Sequence, residues 1–296
     1  MQGSQSGGTS PKQLLDARHL RPRKRFGQNF LTDPRMATRI ALAVPHDAYV
    51  LEVGGGTGAL TAALLERVRS LTTLEIDRDL CEILRERFTG AGERLRIESR
   101  DVLTFDLAAD LREHTPPRAV VGNLPYYITT PVLERIFEAS ESWETAILMV
   151  QREYARRLVA KPGSAEYGSL TLFAAHFARV EKLFDVGAAG FYPPPDVSST
   201  VVQLTPARQS GDAAFLLWFI RAAFAHRRKT LVNSVIATIP EATSLVKKDL
   251  EQALVQNGFD PAVRAERLTL ADLRGLADTL KAQGTTEQVW TTRSIS

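Results

Sequence analysis

"LEVGGGTGALT", residues 51–61, ends a short apolar run in glycines and then turns helical. A strand that stops at Gly54 and resumes as a helix after Gly58 is the first joint of a βαβ unit, and its glycines let the backbone approach a ligand closely. The spacing G-x-G-x-G departs from the dinucleotide fingerprint G-x-G-x-x-G. Glu52 lies two residues ahead of the first glycine. A helix N-terminus alone would favour phosphate, but an acid at the strand end argues for a cationic or zwitterionic ligand. A purely structural glycine turn is the alternative reading.

On both sides of this joint the chain alternates strands with helices. "DPRMATRIALAV" begins with a capping Asp and a Pro at the first helical position, so it reads as a helix. "AYVLEVGGG", "LTTLEID", "RLRIESRDV", "RAVVGNLPY" and "WETAILMVQ" read as strands, and "TGALTAALLERV", "RDLCEILRERF" and "TPVLERIFEAS" as the helices between them. The pattern predicts an α/β fold with a mostly parallel sheet covered on both faces, and ligands beyond the carboxyl ends of its strands. "REYARRLVA" and "TLFAAHFARV" read as helices, and "EKLFDVGAAGFYPPPDVSSTVVQLTP" as two strands around a proline-rich turn at a sheet edge. Beyond Pro206 only helices are expected, with "DAAFLLWFIRAAFAHRRKTLVNSVIA" as one of them. The expected organisation is a flexible tail over 1–20, a catalytic domain over 21–206, a small helical domain over 207–284 and a second flexible tail over 285–296.

The 296 residues are 44% hydrophobic and 24% charged, an ordinary water-soluble composition. No apolar run approaches the roughly 20 residues of a membrane helix, and "MQGSQSGGTS" lacks the apolar core of a signal peptide. The single cysteine, Cys81, excludes an internal disulfide framework and a thiolate metal cluster, which fits a reducing, cytoplasmic setting. A net charge of +3 is only mildly basic. Its distribution is uneven: Arg18, His19, Arg21, Arg23, Lys24 and Arg25 cluster in one stretch, and Arg221, His226, Arg227, Arg228 and Lys229 in another. Basic clusters around aromatic residues point to a polyanion partner such as nucleic acid, against the plainer reading of solvated surface charge.

Two further acids stand at strand ends. Glu75, in "LEID", can accept two hydrogen bonds from a ribose diol. Asp101, in "SRDVLTFD", can accept from an adenine amine while the Val102 N–H reads a ring nitrogen. With Glu52 they describe a pocket for an adenosine that carries a positive group and no phosphate, which S-adenosylmethionine fits better than NAD. At the next strand end comes "VGNLPYYITT", residues 121–130. Turn chemistry explains its Asn and Pro but not its two rings. If the substrate is an adenine, the Asn123 side-chain oxygen and the Leu124 carbonyl can hold both N–H groups of its amine. That draws the lone pair out of conjugation with the ring. Tyr126 can then stack on the unstacked base. No strong general base is required, because the nitrogen becomes acidic only after methylation.

These stretches together resemble the ribosomal RNA small-subunit adenine dimethyltransferase family. From about Arg23 to about Leu280 the chain carries, in order, "KRFGQNFL", "EVGGGTGALT", "EIDRDL", "RDVLTFD", "GNLPYYI", "VQREYARRLVAKPGSAEYGSLT", "FYPPPDVSSTVV", "FAHRRKTLVN" and "RAERLT". The resemblance implies a class I, Rossmann-like methyltransferase domain with seven strands, the last antiparallel, followed by a helical rRNA-binding domain. It implies S-adenosylmethionine as methyl donor, no metal, and four methyl transfers to two adjacent adenosines in the 3′-terminal hairpin of small-subunit rRNA. The expected partner is that rRNA within an immature ribosomal particle, met by a monomer. The donor site is expected at Asn29, Leu31, Gly54, Gly56, Glu75, Asp101, Val102 and Asn123, with Gln28 and Phe30 in the same loop as Asn29. Phe191 is expected to sandwich the target adenine opposite Tyr126. RNA contacts are expected from Arg23, Lys24, Arg25, Arg227, Arg228 and Lys229.

Two positions depart from the family pattern. The glycine loop reads Gly-Gly-Gly where the family has Gly-Pro-Gly, which is expected to loosen the turn slightly without abolishing binding. Tyr127 stands where Asn is usual, and its ring either narrows the base pocket or points away from it. Three other activities compete with this one. A large-subunit rRNA adenine methyltransferase is expected to read "NIPY" and lack "RAERLT". A non-catalytic assembly factor is expected to lose Asn123 or Glu75. A small-molecule methyltransferase has no use for the two basic stretches.

Overall fold

The computed structural model describes residues 9–23, 26–207, 213–239 and 244–284. Among the described residues nine strands are formed: β1 Phe30–Leu31, β2 Tyr49–Val53, β3 Ser70–Leu74, β4 Leu95–Glu98, β5 Arg118–Asn123, β6 Thr145–Gln151, β7 Ala178–Val186, β8 Phe191–Tyr192 and β9 Ser199–Pro206. The α-helices of the described residues are α1 Pro11–Asp16, α2 Pro34–Leu42, α3 Ala59–Leu65, α4 Arg78–Arg87, α5 Leu107–Arg112, α6 Thr129–Glu138, α7 Arg152–Leu158, α8 Ser169–Phe177, α9 Ala214–Phe224, α10 Leu231–Ile236, α11 Ser244–Gln256 and α12 Leu270–Ala282. They form two compact units, residues 1–155 with 178–208, and residues 156–177 with 209–296.

The first unit is built on a seven-stranded sheet of order β4-β3-β2-β5-β6-β9-β7. All its strands run parallel except β9, which lies antiparallel between β6 and β7, so the seven strands and the antiparallel last one match expectation. β2 is buried at all five residues, as a central strand covered on both faces must be. Its register pairs Val53 with Leu74 of β3 and with Gly122 of β5, and Asn123 pairs with Met149 of β6. The carboxyl ends of these four strands are therefore level, and everything that follows them opens onto one edge of the sheet.

Local chemistry sets the joints. The Asp33 and Asp77 side chains accept the backbone N–H groups of Arg35 and Asp79, capping α2 and α4. Gly56 has φ +56°, a left-handed conformation glycine adopts without strain. At Gly55, a β-carbon would stand 2.2 Å from Cγ2 of Thr73, and the Gly55 N–H donates to the Leu74 carbonyl. A proline in the middle of this loop would lose that hydrogen bond and meet Thr73. Glycine at 55 thus suits the space beside Thr73.

The segment read as a tail over 1–20 is partly structured. Residues 11–16 form α1, with Ser10 and Gln13 making a reciprocal capping box. Leu15 is buried in a cluster with Phe30, Leu80 and Ile83. Residues 285–296 lie outside the described residues.

In the second unit the described residues form helices and no strand. The expected boundary at 206/207 misplaces residues 156–177, which belong to this unit because they share its core. Tyr167 and Leu172 are buried among Phe219, Leu231, Leu254 and Leu276, the Tyr167 hydroxyl donates to the Leu268 carbonyl at 2.7 Å, and the Gly163 N–H donates to that of Glu266 at 2.8 Å. The single long helix expected over 212–237 is broken in its described part. Helix α9 ends at Phe224, and Thr230 caps α10 by accepting the Asn233 N–H.

Candidate active site

Beyond the level strand ends of the first unit lies a cleft of about 360 Å³, within the size range of small-molecule sites. Each joint supplies part of its wall. Gly54–Thr57 come from the turn after β2, Glu75 and Ile76 from the end of β3, Arg100–Leu103 from the loop past β4, Asn123–Ile128 from the end of β5, and Phe26–Leu31 from the N-terminal loop. Among the expected donor residues, Asn29, Leu31, Gly54, Gly56, Glu75, Asp101, Val102 and Asn123 all line it. So do Leu124 and Tyr126.

The N-terminal loop is fastened over this edge by polar contacts. Asp77, almost fully buried, accepts from Arg23 at 2.7 Å and from Gln28 Nε2 at 3.1 Å, and Gln28 Oε1 accepts the Arg23 N–H. Asn29 Nδ2 donates to the Gly27 carbonyl at 3.1 Å. Phe30 and Leu31 pair antiparallel with Tyr192 and Phe191. Arg23, expected to reach RNA, is instead a strut, ion-paired to Asp77 and Asp79. Lys24 and Arg25 lie outside the described residues.

Glu75 is 6% exposed, and its two carboxylate oxygens accept the N–H groups of Gly56 and Asp77, each at 2.9 Å. Those bonds lock the carboxylate in place and leave each oxygen a second lone pair, the number a ribose diol needs. Burial pushes its pKa up, and the two backbone donors oppose the shift. Asp101 sits three residues past the end of β4, and its Oδ1 accepts the Leu103 N–H at 2.9 Å. Glu52 does not join them. It is 1% exposed, and its Oε2 accepts the hydroxyls of Thr61 and Thr73 at 2.7 Å each. Its side chain holds α3 and β3 to β2 rather than facing the cleft.

Burial pushes the Glu52 carboxyl up to about 7 from an ordinary 4.5. A raised carboxyl contributes stability that is fully present below about pH 4.5 and is lost as pH rises through about 7. Glu52→Gln, which keeps an acceptor for the two threonines without a charge to bury, is therefore expected to flatten the stability profile across that window. Denaturant midpoints taken from pH 4.5 to 8 test this, and a variant with the parent's slope overturns it.

At the end of β5 the Asn123 Nδ2 donates to the Asn29 backbone carbonyl at 3.0 Å. A carbonyl only accepts, so this bond decides which end of the amide is which, and Oδ1 is the end left for a substrate amine. Residues 126–128 make one 3₁₀ turn. The Tyr126 hydroxyl is within 3.1 Å of Ser199 Oγ, itself fully buried, which steadies the ring by its far end. Phe191 is placed differently from expectation. It is 4% exposed, packed in the core with Leu31, Ala37 and Val201, and is not part of the cleft wall. Its ring packs on the same face as its cross-strand partner Leu31, and burial in that cluster takes up its surface.

In the second unit, the basic stretch expected on a helix occupies the break between α9 and α10. The Arg227 guanidinium donates to the carbonyls of Ala165 and Tyr167, so it braces the 165–167 loop. Arg228 and Lys229 are exposed. Ile76 and Arg100 are cleft residues that the sequence reading passed over, although an apolar side chain between the two acids of "EID" was a visible sign.

The comparisons with known proteins agree with this geometry. The ribosomal RNA adenine dimethylase family model matches residues 19–260. The ribosomal RNA small subunit methyltransferase A of Magnetococcus marinus is 41% identical over 90% of this chain and 95% of its own length. Its namesake from Methylococcus capsulatus is 43% identical over 88% and 98%. Among solved structures, a dimethyladenosine transferase from Plasmodium falciparum superposes with a TM-score of 0.74 at 25% identity, covering 86% of this chain and 98% of its own. The 23S rRNA methyltransferase ErmE follows at 0.62 and 27%, covering 86% and 100%. A cleft at the ends of four level strands, an asparagine amide oriented into it, and a family match across most of the sequence lead to one conclusion: this chain belongs to the ribosomal RNA adenine dimethylase family.

Proposed function

We propose that the chain uses S-adenosylmethionine to dimethylate the exocyclic amines of two adjacent adenosines in the 3′-terminal hairpin of small-subunit rRNA, acting as a cytoplasmic monomer on an immature particle. The observation that carries the chemistry is the amide of Asn123, turned by the Asn29 carbonyl so that its oxygen faces an incoming amine.

The cleft suits such a donor. Glu75 offers two lone pairs to a diol, Asp101 and the Val102 backbone offer an adenine-reading pair, and the glycine turn leaves room at the strand end. When bound, S-adenosylmethionine supplies a methyl group on a positively charged sulfur. The protein's part is orientation. Asn123 Oδ1 and the Leu124 carbonyl accept the two amine protons, which localises the lone pair on nitrogen and aims it. Tyr126, held at Ser199, gives the base a face to stack on. The proton shed by the methylated nitrogen passes to water.

Mass spectrometry of small-subunit rRNA, after unmodified particles are incubated with the protein and methyl donor, tests the proposal. Two neighbouring residues each heavier by two methyl groups are expected. Unmodified small-subunit rRNA beside methylated large-subunit rRNA would overturn it.

RNA contact is proposed at Arg228 and Lys229, exposed and close together in the α9–α10 break. Replacing both with Gln is expected to weaken particle binding and lower its salt slope by up to ~2, about one unit per lost phosphate contact. Donor binding should not change. An unchanged slope in a variant with the parent's melting curve would show that the two charges are merely solvated.

A further inference from the structure

Tyr126 and Tyr127 are adjacent rings with different surroundings. Consecutive side chains on a 3₁₀ turn are about 120° apart, so the two cannot share a face. Tyr126 is anchored at Ser199. Tyr127 is tied to no such partner in β9 and packs toward the N-terminal loop. A β-carbon on Gly27 would stand 3.3 Å from its Cδ1 and 3.6 Å from its Cε1. The ring lines the cleft yet is 55% exposed, and Ile76, which lines the same cleft, is 44% exposed. Large apolar side chains left open inside a cleft are surfaces awaiting an apolar occupant. Asp101 and Glu75 line the same cleft, and the Tyr127 phenol is raised by burial and then by their negative charges.

Building on the donor site proposed above, we infer that Tyr127 covers the adenosine of the methyl donor, its ring closing with Ile76 over the nucleoside that Glu75 and Asp101 grip by its polar edges. An adenosine presents flat apolar faces and a polar rim. Carboxylates can satisfy only the rim, and the faces need rings or aliphatic side chains. The two tyrosines thus divide the cleft, Tyr126 serving the base that receives the methyl group and Tyr127 the nucleoside that brings it. Gly27 borders the same ring, and a β-carbon there would make a tight contact with it.

The test is calorimetric titration of the full chain with S-adenosylhomocysteine and with 5′-methylthioadenosine, which keeps the nucleoside and lacks the amino-acid half. Tyr127→Ala is expected to weaken both by a similar factor of about ten, and Tyr127→Phe to stay within about twofold of the parent. Particle affinity should be unchanged in Tyr127→Ala. Parental affinity of Tyr127→Ala for both probes would overturn the inference. So would a loss confined to S-adenosylhomocysteine, which would put the ring on the amino-acid half, or a loss of particle affinity with donor affinity intact, which would give the ring to RNA. Glu75→Ala serves as the control. If it too binds both probes like the parent, the donor site itself is misplaced, a result distinct from failure at Tyr127 alone.

Discussion

Asn123→Ala is expected to lower single-turnover methyl transfer about a hundredfold, on the order of 3 kcal/mol, while donor affinity stays within a few-fold of the parent. Much of the adenine amine's lone pair lies in the ring, and the amide is asked to recover it only as the transition state forms. Loss of such a group shows in the rate rather than in binding. The structure adds a sharper expectation. The Asn29 carbonyl accepts from Asn123 Nδ2, so it would face an anion if Asn123 became Asp. Two acceptors repel, and the carboxylate would turn from its place. Asn123→Asp should therefore be as impaired as the alanine variant, although it keeps an oxygen of the same reach. Half-parental activity in the alanine variant would remove the polarisation argument. Near-parental activity in the aspartate variant alone would keep the polarisation and remove the part given to Asn29.

The parallel sheet, the position of the cleft and most of its wall were legible because each rests on a local signal. Glycines mark the turn after β2, capping aspartates mark α2 and α4, and polar residues follow buried strands. What escaped the sequence depends on direction or on distant partners. Glu52 lies in a strand buried on both faces, so no polar–apolar alternation reveals which way its carboxyl turns, and only Thr61 and Thr73 decide it. Phe191 gains its burial from pairing across some 160 residues with Leu31. Residues 156–177 hold the end of α7, a loop and α8, and nothing local says that Tyr167 will bond a carbonyl at Leu268. Two misses were avoidable. "SPKQ" at 10–13 spells a capping box, and Thr230 before "LVN" spells the start of a new helix after the basic stretch.

Glu75→Ala is expected to reduce affinity for S-adenosylmethionine by about 2–4 kcal/mol, the order of magnitude of two charge-assisted hydrogen bonds to a diol. The structure qualifies how that loss should be read, because the same carboxylate also accepts the Gly56 and Asp77 N–H groups. Alanine removes the diol contact and also frees the glycine turn, whereas Glu75→Gln keeps an acceptor for one N–H and sets an amide donor against the other. Both variants should bind the donor weakly, and the glutamine one should not rescue. The discriminating ligand is 2′,3′-dideoxy donor analogue, which has no diol to lose. The parent should bind it as weakly as Glu75→Ala binds the normal donor, and the variant should bind both alike. If the carboxylate served only the turn, the parent would hold the dideoxy analogue as well as the donor. The acid limb offers a second check. Burial raises the Glu75 pKa, while accepting from a diol favours the ionised form. Donor affinity should therefore fall as pH drops through that raised pKa, and the fall should be absent in Glu75→Gln. An equally steep fall in the glutamine variant would assign the acid limb to another group and leave Glu75 without its place at the ribose.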